Sequence, residues 1–306
     1  MDIHNSRRGF IKYLAMGSVF SQLSAFGQTQ PVVFKRAIPK TSEKIPAIGL
    51  GTWQTFDVGN SLPARNQLKE VLKTLISYGG SVVDSSPMYG SSERVVGELV
   101  TDLGIKSKLF GATKVWTSGK QSGINQMNRS MDLMKIKPMD LMQVHNLQDW
   151  KTHLNTLRNW KDQGKVRYIG ITHYMESAYP RMEKIMKEQP LDFIQLNYSI
   201  KSRQAENSIL PLAADLGIAV LVNRPYEGGS LFRKMKGTAI PQWASEMGIE
   251  SWGQFFIKYI LGNEAITCVI PGTSKPHHMK DNLQAGLGRL PSENERKKMV
   301  ELVNQV

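Results

Sequence analysis

Short apolar runs alternate along this chain with longer segments in which apolar residues recur every three or four positions. A short apolar run is typical of a buried β-strand, whereas the wider spacing is typical of an amphipathic helix. The spacing predicts helices over 67–77 and 93–103, among others. The apolar runs predict eight strands, at 48–52, 81–84, 109–113, 140–144, 166–171, 192–197, 218–223 and 267–270.

The order of these elements predicts an α/β fold with a parallel sheet, because strands that alternate with helices pair in parallel and are buried on both faces. Eight such units close into a (β/α)8 TIM barrel of about 250 residues. An open, doubly wound sheet is the alternative, but it normally carries a glycine-rich turn after its first strand. The best candidate, at 49–54, lacks the third glycine. We therefore predict a barrel.

The chain outside the eight strands adds a hairpin and no second domain. Residues 32–38 and 48–53 are predicted as strands separated by a polar, proline-containing turn, which gives an N-terminal β-hairpin. No internal repeat, Pro-rich linker or low-complexity segment divides the rest. The prediction is a single domain over 32–306.

The charge balance raises the question of an anionic partner. The 306 residues include 39 Lys and Arg against 26 Asp and Glu, for a net charge of +13. Such a surplus suggests nucleic acid or an anionic membrane. The basic residues are scattered in small groups, such as 233–236 and 296–298, with no long basic run and no interleaved aromatic residues. We predict no nucleic-acid partner, and the charge remains available for an anionic cofactor.

The first residues resemble a bacterial twin-arginine (Tat) export signal. The segment Ser-Arg-Arg-Gly-Phe-Ile-Lys at 6–12 precedes an apolar stretch at 13–20, and small residues stand at Ala25 and Gly27. Together they match a charged region, a short hydrophobic region and a cleavage site. Because the apolar stretch is too short to span a bilayer, we predict no stable membrane insertion. A disordered basic tail is the alternative to a signal peptide at 1–27 that uses the Tat machinery and leads to the periplasm.

Three further features are interpreted as structural. The single cysteine, Cys268, lies in a predicted strand and is expected to be a buried, unreactive thiol. Methionines at 127, 131 and 134 follow helical spacing and predict a packing face. His277 and His278 are adjacent and cannot face one ligand from a helix, so no metal site is predicted.

Four chemically active residues stand at or just beyond the ends of predicted strands: Asp84, Tyr89, Lys114 and His145. In a parallel barrel the active site forms at those ends. Tyrosine is a poor acid at neutral pH, but the ammonium of Lys114 would stabilise its phenolate and lower its pKa. Asp84 would keep the lysine charged, and His145 could donate a hydrogen bond to a substrate oxygen. The combination predicts an enzyme that protonates a carbonyl oxygen.

The motifs that contain these residues resemble those of the aldo/keto reductases. They are Asp84-x-x-x-x-Tyr89-Gly90, Thr113-Lys114 and Val144-His145. The resemblance extends from about Ala47 to Gln284. Other segments that carry it lie at 49–53, 169–174, 195–199, 270–276 and 281–282. It implies a barrel that binds NADPH without a Rossmann domain and reduces aldehydes or ketones to alcohols by hydride transfer.

Carried over by position, the resemblance makes Tyr89 the general acid of a catalytic tetrad. It places Gln195 on the nicotinamide amide, together with Thr172 and His173, where the family usually has Ser-Asn. Arg224 stands where a tyrosine often stacks on the nicotinamide, and the flat guanidinium can stack in its place.

The resemblance implies that the segment after the last strand holds the adenosine end of the cofactor, with Asp281 and Asn282 at the adenine. Ser274 and Lys275 precede a predicted helix start, where backbone N–H groups favour a 2′-phosphate. His278 replaces an arginine that contacts this phosphate in many relatives, so NADH remains possible beside NADPH. The predicted cofactor residues are Gly51, Thr52, Trp53, Asp84, Thr172, His173, Gln195, Asn223, Arg224, Thr273, Ser274, Lys275, His278, Asp281 and Asn282. The predicted substrate pocket is lined by Trp53, Tyr89, Trp116 and His145.

Two functions follow from the resemblance. The first is an exported, monomeric NADPH-dependent reductase of a small carbonyl compound. The second is a catalytically weak NADP(H)-binding sensor, because the family includes channel-associated subunits.

Overall fold

The computed structural model describes residues 31–306; the predicted export signal at 1–27 lies outside them. Within this part of the chain the strands are β1 (Lys35–Ala37), β2 (Lys44–Pro46), β3 (Leu50–Gly51), β4 (Val82–Asp84), β5 (Phe110–Val115), β6 (Met139–His145), β7 (Val166–His173), β8 (Phe193–Asn197), β9 (Ala219–Asn223) and β10 (Cys268–Val269). The α-helices are α1 (Leu62–Ser77), α2 (Ser92–Asp102), α3 (Lys120–Met134), α4 (Trp150–Asp162), α5 (Tyr179–Glu188), α6 (Ile209–Leu216), α7 (Ser230–Lys234), α8 (Gln242–Ser245), α9 (Trp252–Leu261), α10 (Pro276–Gln284) and α11 (Glu293–Gln305).

Eight parallel strands form the barrel. Their spatial order follows the chain from β3 to β10, and every neighbouring pair is parallel. Parallel bridges from Ile48 to Val269 and from Gly51 to Gly272 join the last strand to the first. A Cβ atom on Gly51 would lie 2.8 Å from the carbonyl oxygen of Ile270, so closure needs glycine at this position. The predicted (β/α)8 barrel is confirmed.

The N-terminal hairpin covers the amino-terminal end of the barrel. Strands β1 and β2 pair antiparallel, with Lys35 opposite Pro46. Ile38 and Ile45 share a buried cluster with Phe110 and Phe193, the first residues of β5 and β8. The hairpin was predicted from 32–38 and 48–53; its second strand is instead β2, because residues 48–51 pair within the barrel. The carboxyl ends of the strands are left free for a site.

The helices bury the faces that their apolar spacing predicts. Helix α1 starts earlier than predicted, with a proline in its first turn, and buries Leu68, Val71, Leu72 and Leu75. Helix α2 begins one residue before the predicted start and ends one residue before the predicted end. The three methionines of α3 are buried, which confirms a packing face. Cys268 is also fully buried in β10.

Residues 31–306 contain neither a candidate membrane-spanning helix nor a candidate metal cluster. Among residues 31–306, no helix has the length and apolar character that a membrane crossing requires. In the same range, no three His, Cys, Asp or Glu side chains come together as a metal site would require.

Candidate active site

The barrel brings three of the four chemically active residues onto adjacent strands. Asp84 ends β4, Lys114 is the penultimate residue of β5, and His145 ends β6. Tyr89 lies in the loop after β4, with its ring edge-on to the His145 imidazole at a centroid distance of 6.0 Å. The predicted meeting of these four side chains on one rim is therefore what the fold produces.

A buried ion pair forms the base of this cluster. Lys114 Nζ donates to Asp84 Oδ2 at 2.6 Å and to the carbonyl oxygen of Ser85 at 2.7 Å. Asp84 Oδ1 accepts from the side-chain amides of Gln195 at 2.9 Å and Gln143 at 3.3 Å. Lys114 is fully enclosed and Asp84 is 3% exposed. The carboxylate thus receives three donors, which fix its orientation and the position of the ammonium.

Burial and neighbouring charges have opposite effects on the pKa values of Lys114 and Tyr89. Burial by itself lowers the pKa of Lys114, but the charge of Asp84, with smaller contributions from Tyr89 and Glu93, raises it above its usual value. The ammonium stays charged and lies 5.2 Å from the centre of the Tyr89 ring. For Tyr89, burial raises the pKa, and Lys114 only partly offsets this. The lysine acts in the predicted direction, but desolvation of the phenol outweighs it, so Tyr89 keeps its proton.

His145 is a neutral imidazole. Burial, with smaller effects from the positive charges of Lys114 and His173, lowers its pKa to about 2. Its Nδ1 lies 2.9 Å from the hydroxyl of Ser86, a fully buried residue. A neutral imidazole carries one N–H and can act as donor at one nitrogen only.

Hydrogen bonds to Asp57, in the loop after β3, fix the turn that carries Tyr89. Asp57 Oδ1 accepts from the backbone N–H of Ser91 at 2.8 Å and from its hydroxyl at 2.7 Å. Gly90 has a φ of +57°, and a Cβ there would come within 2.3 Å of the Asp57 carboxylate. Glycine at this position lets the two loops meet, and the contact fixes the turn next to Tyr89.

A second polar region lies at the ends of β7, β8 and β9. A cavity of about 400 Å³ is lined by Tyr174, Met175, Glu176, Ser177, Asn197, Ser202 and Arg224. Buried oxygens of Asn197 and Glu176 have no hydrogen-bond partner among the described residues, and neither does Asn223 Oδ1 at the end of β9. Arg224 adopts a left-handed backbone conformation, with its guanidinium 5.8 Å from the centre of the Tyr174 ring. The unpaired buried oxygens need hydrogen-bond donors on a ligand, whereas the guanidinium of Arg224 suits an anionic part of it.

The predicted nicotinamide contacts have protein partners of their own. The hydroxyl of Thr172 donates to Gln195 Oε1 at 3.2 Å, while the Gln195 amide group donates to Asp84. His173 Nδ1 accepts the backbone N–H of Met175 at 3.1 Å. Because this bond uses Nδ1, the other ring nitrogen of His173 is the one left for a ligand.

The residues after β10 divide into two groups. Ser274, Lys275 and His278 are partly or fully exposed around the start of α10. In its first turn the backbone N–H groups of His277 and His278 have no partner within the helix and can bind an anion. In contrast, Asp281 accepts from Ser251 Oγ and Gln254 Nε2, and the buried Asn282 accepts from the Tyr226 hydroxyl at 2.5 Å. These two predicted adenine contacts hold α10 against the loop after β9 and the start of α9. Thr273, buried, accepts the backbone N–H of Lys275.

Of the site residues predicted near the first strand, Gly51 and Thr52 have structural contacts, whereas Trp53 is exposed. Gly51 serves barrel closure, and Thr52 is fully buried with its hydroxyl 3.0 Å from the Asp84 carbonyl oxygen. Trp53 is 50% exposed and Trp116, just beyond β5, is 43% exposed. The two indoles are thus partly exposed just beyond the strand ends, and their place in the substrate pocket stays a prediction.

Three residues of the site were not predicted: Ser86, Gln143 and Asn197. A signal existed for each. Gln143 precedes His145 by two positions in one strand and so points to the same face. Ser86 stands two positions after Asp84 within the quoted motif, and Asn197 ends a predicted strand as Asp84 does.

Comparisons with known proteins agree with this geometry. A family model described as "Aldo/keto reductase family" matches residues 47–301. The aldo-keto reductase YhdN of Bacillus subtilis is 26% identical over 65% of this chain; the match spans 64% of that protein, less than two thirds of its length. The methylglyoxal reductase YeaE of Escherichia coli is 24% identical over 78% of this chain and 84% of its own length.

A solved structure shares the fold. The structure of an aldo/keto reductase from Klebsiella pneumoniae in complex with NADP and acetate superposes with a TM-score of 0.73 at 21% identity, covering 85% of this chain and 92% of that one.

Proposed function

Since the chain belongs to the aldo/keto reductase family, we propose that it is an NADP(H)-dependent oxidoreductase that reduces an aldehyde or ketone to an alcohol. One observation carries the proposal. The Lys114–Asp84 pair, Tyr89 and His145 stand together on one rim, with the lysine charged and the histidine neutral.

Tyr89 is the general acid of the proposed reaction. The charged group beside it is the Lys114 ammonium, which carries donors only and cannot accept from the phenol, so the phenol proton remains for a substrate oxygen. As the carbonyl becomes an alkoxide, the proton moves from the phenol to that oxygen. The nearby ammonium of Lys114 stabilises the phenolate that remains, and Asp84 holds the ammonium in place.

His145 orients the substrate. A neutral imidazole donates one N–H to the carbonyl oxygen without competing with Tyr89 for the proton. Trp53 and Trp116 are proposed to border the substrate at the open end of the barrel. Because these side chains are uncharged, the substrate is fixed mainly by its carbonyl oxygen.

The cofactor is proposed to be NADPH, which supplies the hydride when bound. Arg224, Asn223 and Asn197 fit its charged and polar parts, since two of them carry buried oxygens without partners. Ser274 and Lys275 at the start of α10 would take a 2′-phosphate, as would His278 nearby. The Klebsiella structure named above contains NADP, which supports this choice by analogy.

The other predicted cofactor residues already make hydrogen bonds within the protein, and these bonds limit how they can contact NADPH. Gln195, Thr172 and His173 would reach the nicotinamide amide, with Gln195 exchanging or sharing its bond to Asp84. Asp281 and Asn282 support α10 from within, so their contribution to the adenine end would be indirect.

The proposal is tested by carbonyl-dependent consumption of NADPH. Purified protein is incubated with NADPH and a panel of aldehydes and ketones, and the alcohol product is identified. Turnover with formation of the alcohol supports the reductase. Tight binding of NADPH without turnover on any carbonyl would refute it and favour the sensor.

Export is a separate proposal that rests on the twin-arginine motif at 6–12. We propose that the Tat machinery carries the chain, folded with its cofactor, to the periplasm, where it acts as a monomer. Cell fractionation should recover the wild type in the periplasm and the Arg7→Lys, Arg8→Lys double variant in the cytoplasm. Equal distribution of the two would contradict it.

A further inference from the structure

Ser86, which is not one of the four proposed catalytic residues, contacts the imidazole of His145. Ser86 is fully buried in the loop after β4, and its Oγ lies 2.9 Å from His145 Nδ1. The same oxygen lies 3.4 Å from the backbone nitrogen of Met88, which donates to it. The hydroxyl therefore already accepts one hydrogen bond from the turn that leads to Tyr89.

Two proton arrangements are possible between the serine and the imidazole. In the first, the hydroxyl donates to Nδ1 and the imidazole carries its proton on Nε2. In the second, Nδ1–H donates to the hydroxyl, and the hydroxyl proton needs another acceptor. Within residues 31–306 no other acceptor lies in hydrogen-bond range of Ser86 Oγ. A buried donor without a partner costs about 1–3 kcal/mol, so the first arrangement is favoured.

The tautomer matters because His145 stays neutral. With a pKa of about 2, the imidazole has only one N–H throughout the physiological range. Its Nε2 makes no hydrogen bond to the described residues and is not among their enclosed, unpaired atoms. This nitrogen is therefore the end of the ring that can meet a substrate, and it is a donor only in the first arrangement.

We propose that Ser86 is a positioning residue that holds His145 in the Nε2–H tautomer, so that the imidazole donates to the carbonyl oxygen of the substrate. The role of this N–H in catalysis rests on the proposed function. The tautomer itself is a property of the free protein and can be measured without a substrate. Ser86 touches neither substrate nor cofactor and acts through His145.

Ser86→Ala removes the donor to Nδ1 and leaves that nitrogen buried without a partner. Both tautomers then become populated, and the Nδ1–H form presents an acceptor where a donor is needed. Removal of one donor to a developing oxyanion costs about 10²–10³-fold in kcat. Because the molecules that keep Nε2–H remain active, kcat should fall to the fraction of the population in that form, a loss of about twofold if the two tautomers are equally populated and of at most about 10²–10³-fold if Nδ1–H dominates, with little change in NADPH affinity.

The tautomer is read directly by long-range ¹H–¹⁵N correlation spectra of the protein labelled at its six histidines, with His145→Asn used to assign the His145 signals. We expect one neutral Nε2–H form in the wild type at about pH 7 and an increased Nδ1–H fraction in Ser86→Ala. Ser130→Ala, at another buried serine that lies on α3, should leave both the tautomer and kcat unchanged.

The outcomes separate this inference from the proposed function. An Nδ1–H wild type, or a Ser86→Ala variant with the wild-type tautomer, would overturn the inference even if the enzyme is active. A Ser86→Ala variant with changed tautomer but unchanged kcat would also overturn it. Absence of carbonyl turnover in the wild type, with the tautomer as expected, would instead overturn the proposed function.

Discussion

Replacing Lys114 by methionine should lower the free energy of unfolding by about 3–5 kcal/mol, the usual cost of breaking a buried ion pair from one side. Methionine keeps an unbranched side chain of similar length, so the main change is loss of charge. Asp84, 3% exposed, would lose the donor at 2.6 Å and keep only the two amides of Gln195 and Gln143. An anion enclosed in this way cannot recover its solvation by water.

A double variant isolates the cause. In Asp84→Asn with Lys114→Met, no charge remains to be buried, and replacing both partners of a buried pair by neutral groups is often close to neutral. We expect the double variant to recover most of the lost stability while remaining inactive in carbonyl reduction. The matched control is Lys137→Met, whose pair with Asp132 has side chains 58% and 64% exposed. Such surface pairs contribute about 0–1 kcal/mol.

Denaturant unfolding followed by tryptophan fluorescence and far-ultraviolet circular dichroism measures these differences, with kcat measured on the same samples. A Lys114→Met variant as stable as Lys137→Met would refute the reasoning. So would a double variant as unstable as the single one, since the loss would then not come from the unpaired carboxylate.

Two further predictions concern titration. The rate of carbonyl reduction should stay level from about pH 5 to 9, because His145, with a pKa of about 2, remains neutral and burial raises the pKa of Tyr89 above its ordinary value. The rate should fall only as the pH rises through the Tyr89 pKa; a limb in the pH–rate profile near the ordinary pKa of histidine would contradict this. Burial, with a smaller effect from Asp84, also raises the pKa of the Cys268 thiol. A thiol reagent should therefore leave the native protein unlabelled and react once denaturant is added, and rapid labelling of the native protein would contradict the burial.

The sequence predicted the barrel because both of its signals are local. Each barrel strand is a short apolar run, and each helix, such as α1, shows its buried face in the spacing of its leucines. The error at 48–53 has a physical reason. Residues 44–46 and 48–51 are both short and partly apolar, and only the pairing across the barrel decides which of them joins the hairpin.

The tetrad was accessible from sequence because strand ends mark one rim of a barrel. The supporting contacts were not, since they depend on side chains that meet across the fold. Gln195 was assigned to the cofactor, and its bond to Asp84 joins residues 111 positions apart. Asp281 and Asn282 were assigned to adenine, which stays a prediction, and the structure adds their bonds to Ser251 and Tyr226. The net direction of the Tyr89 pKa also needed the structure, because it depends on how deeply the ring is buried.

Tyr89→Phe is the most direct test of whether Tyr89 protonates the carbonyl oxygen, because it removes only the phenolic oxygen. The measurement is kcat/KM for carbonyl reduction beside the dissociation constant for NADPH, with Tyr78→Phe, at the tyrosine that directly follows α1, as the control. We expect a loss of at least about 10²-fold in kcat/KM, with NADPH binding unchanged and the control at the wild-type rate. A Tyr89→Phe variant that reduces carbonyl compounds as fast as the wild type would contradict it.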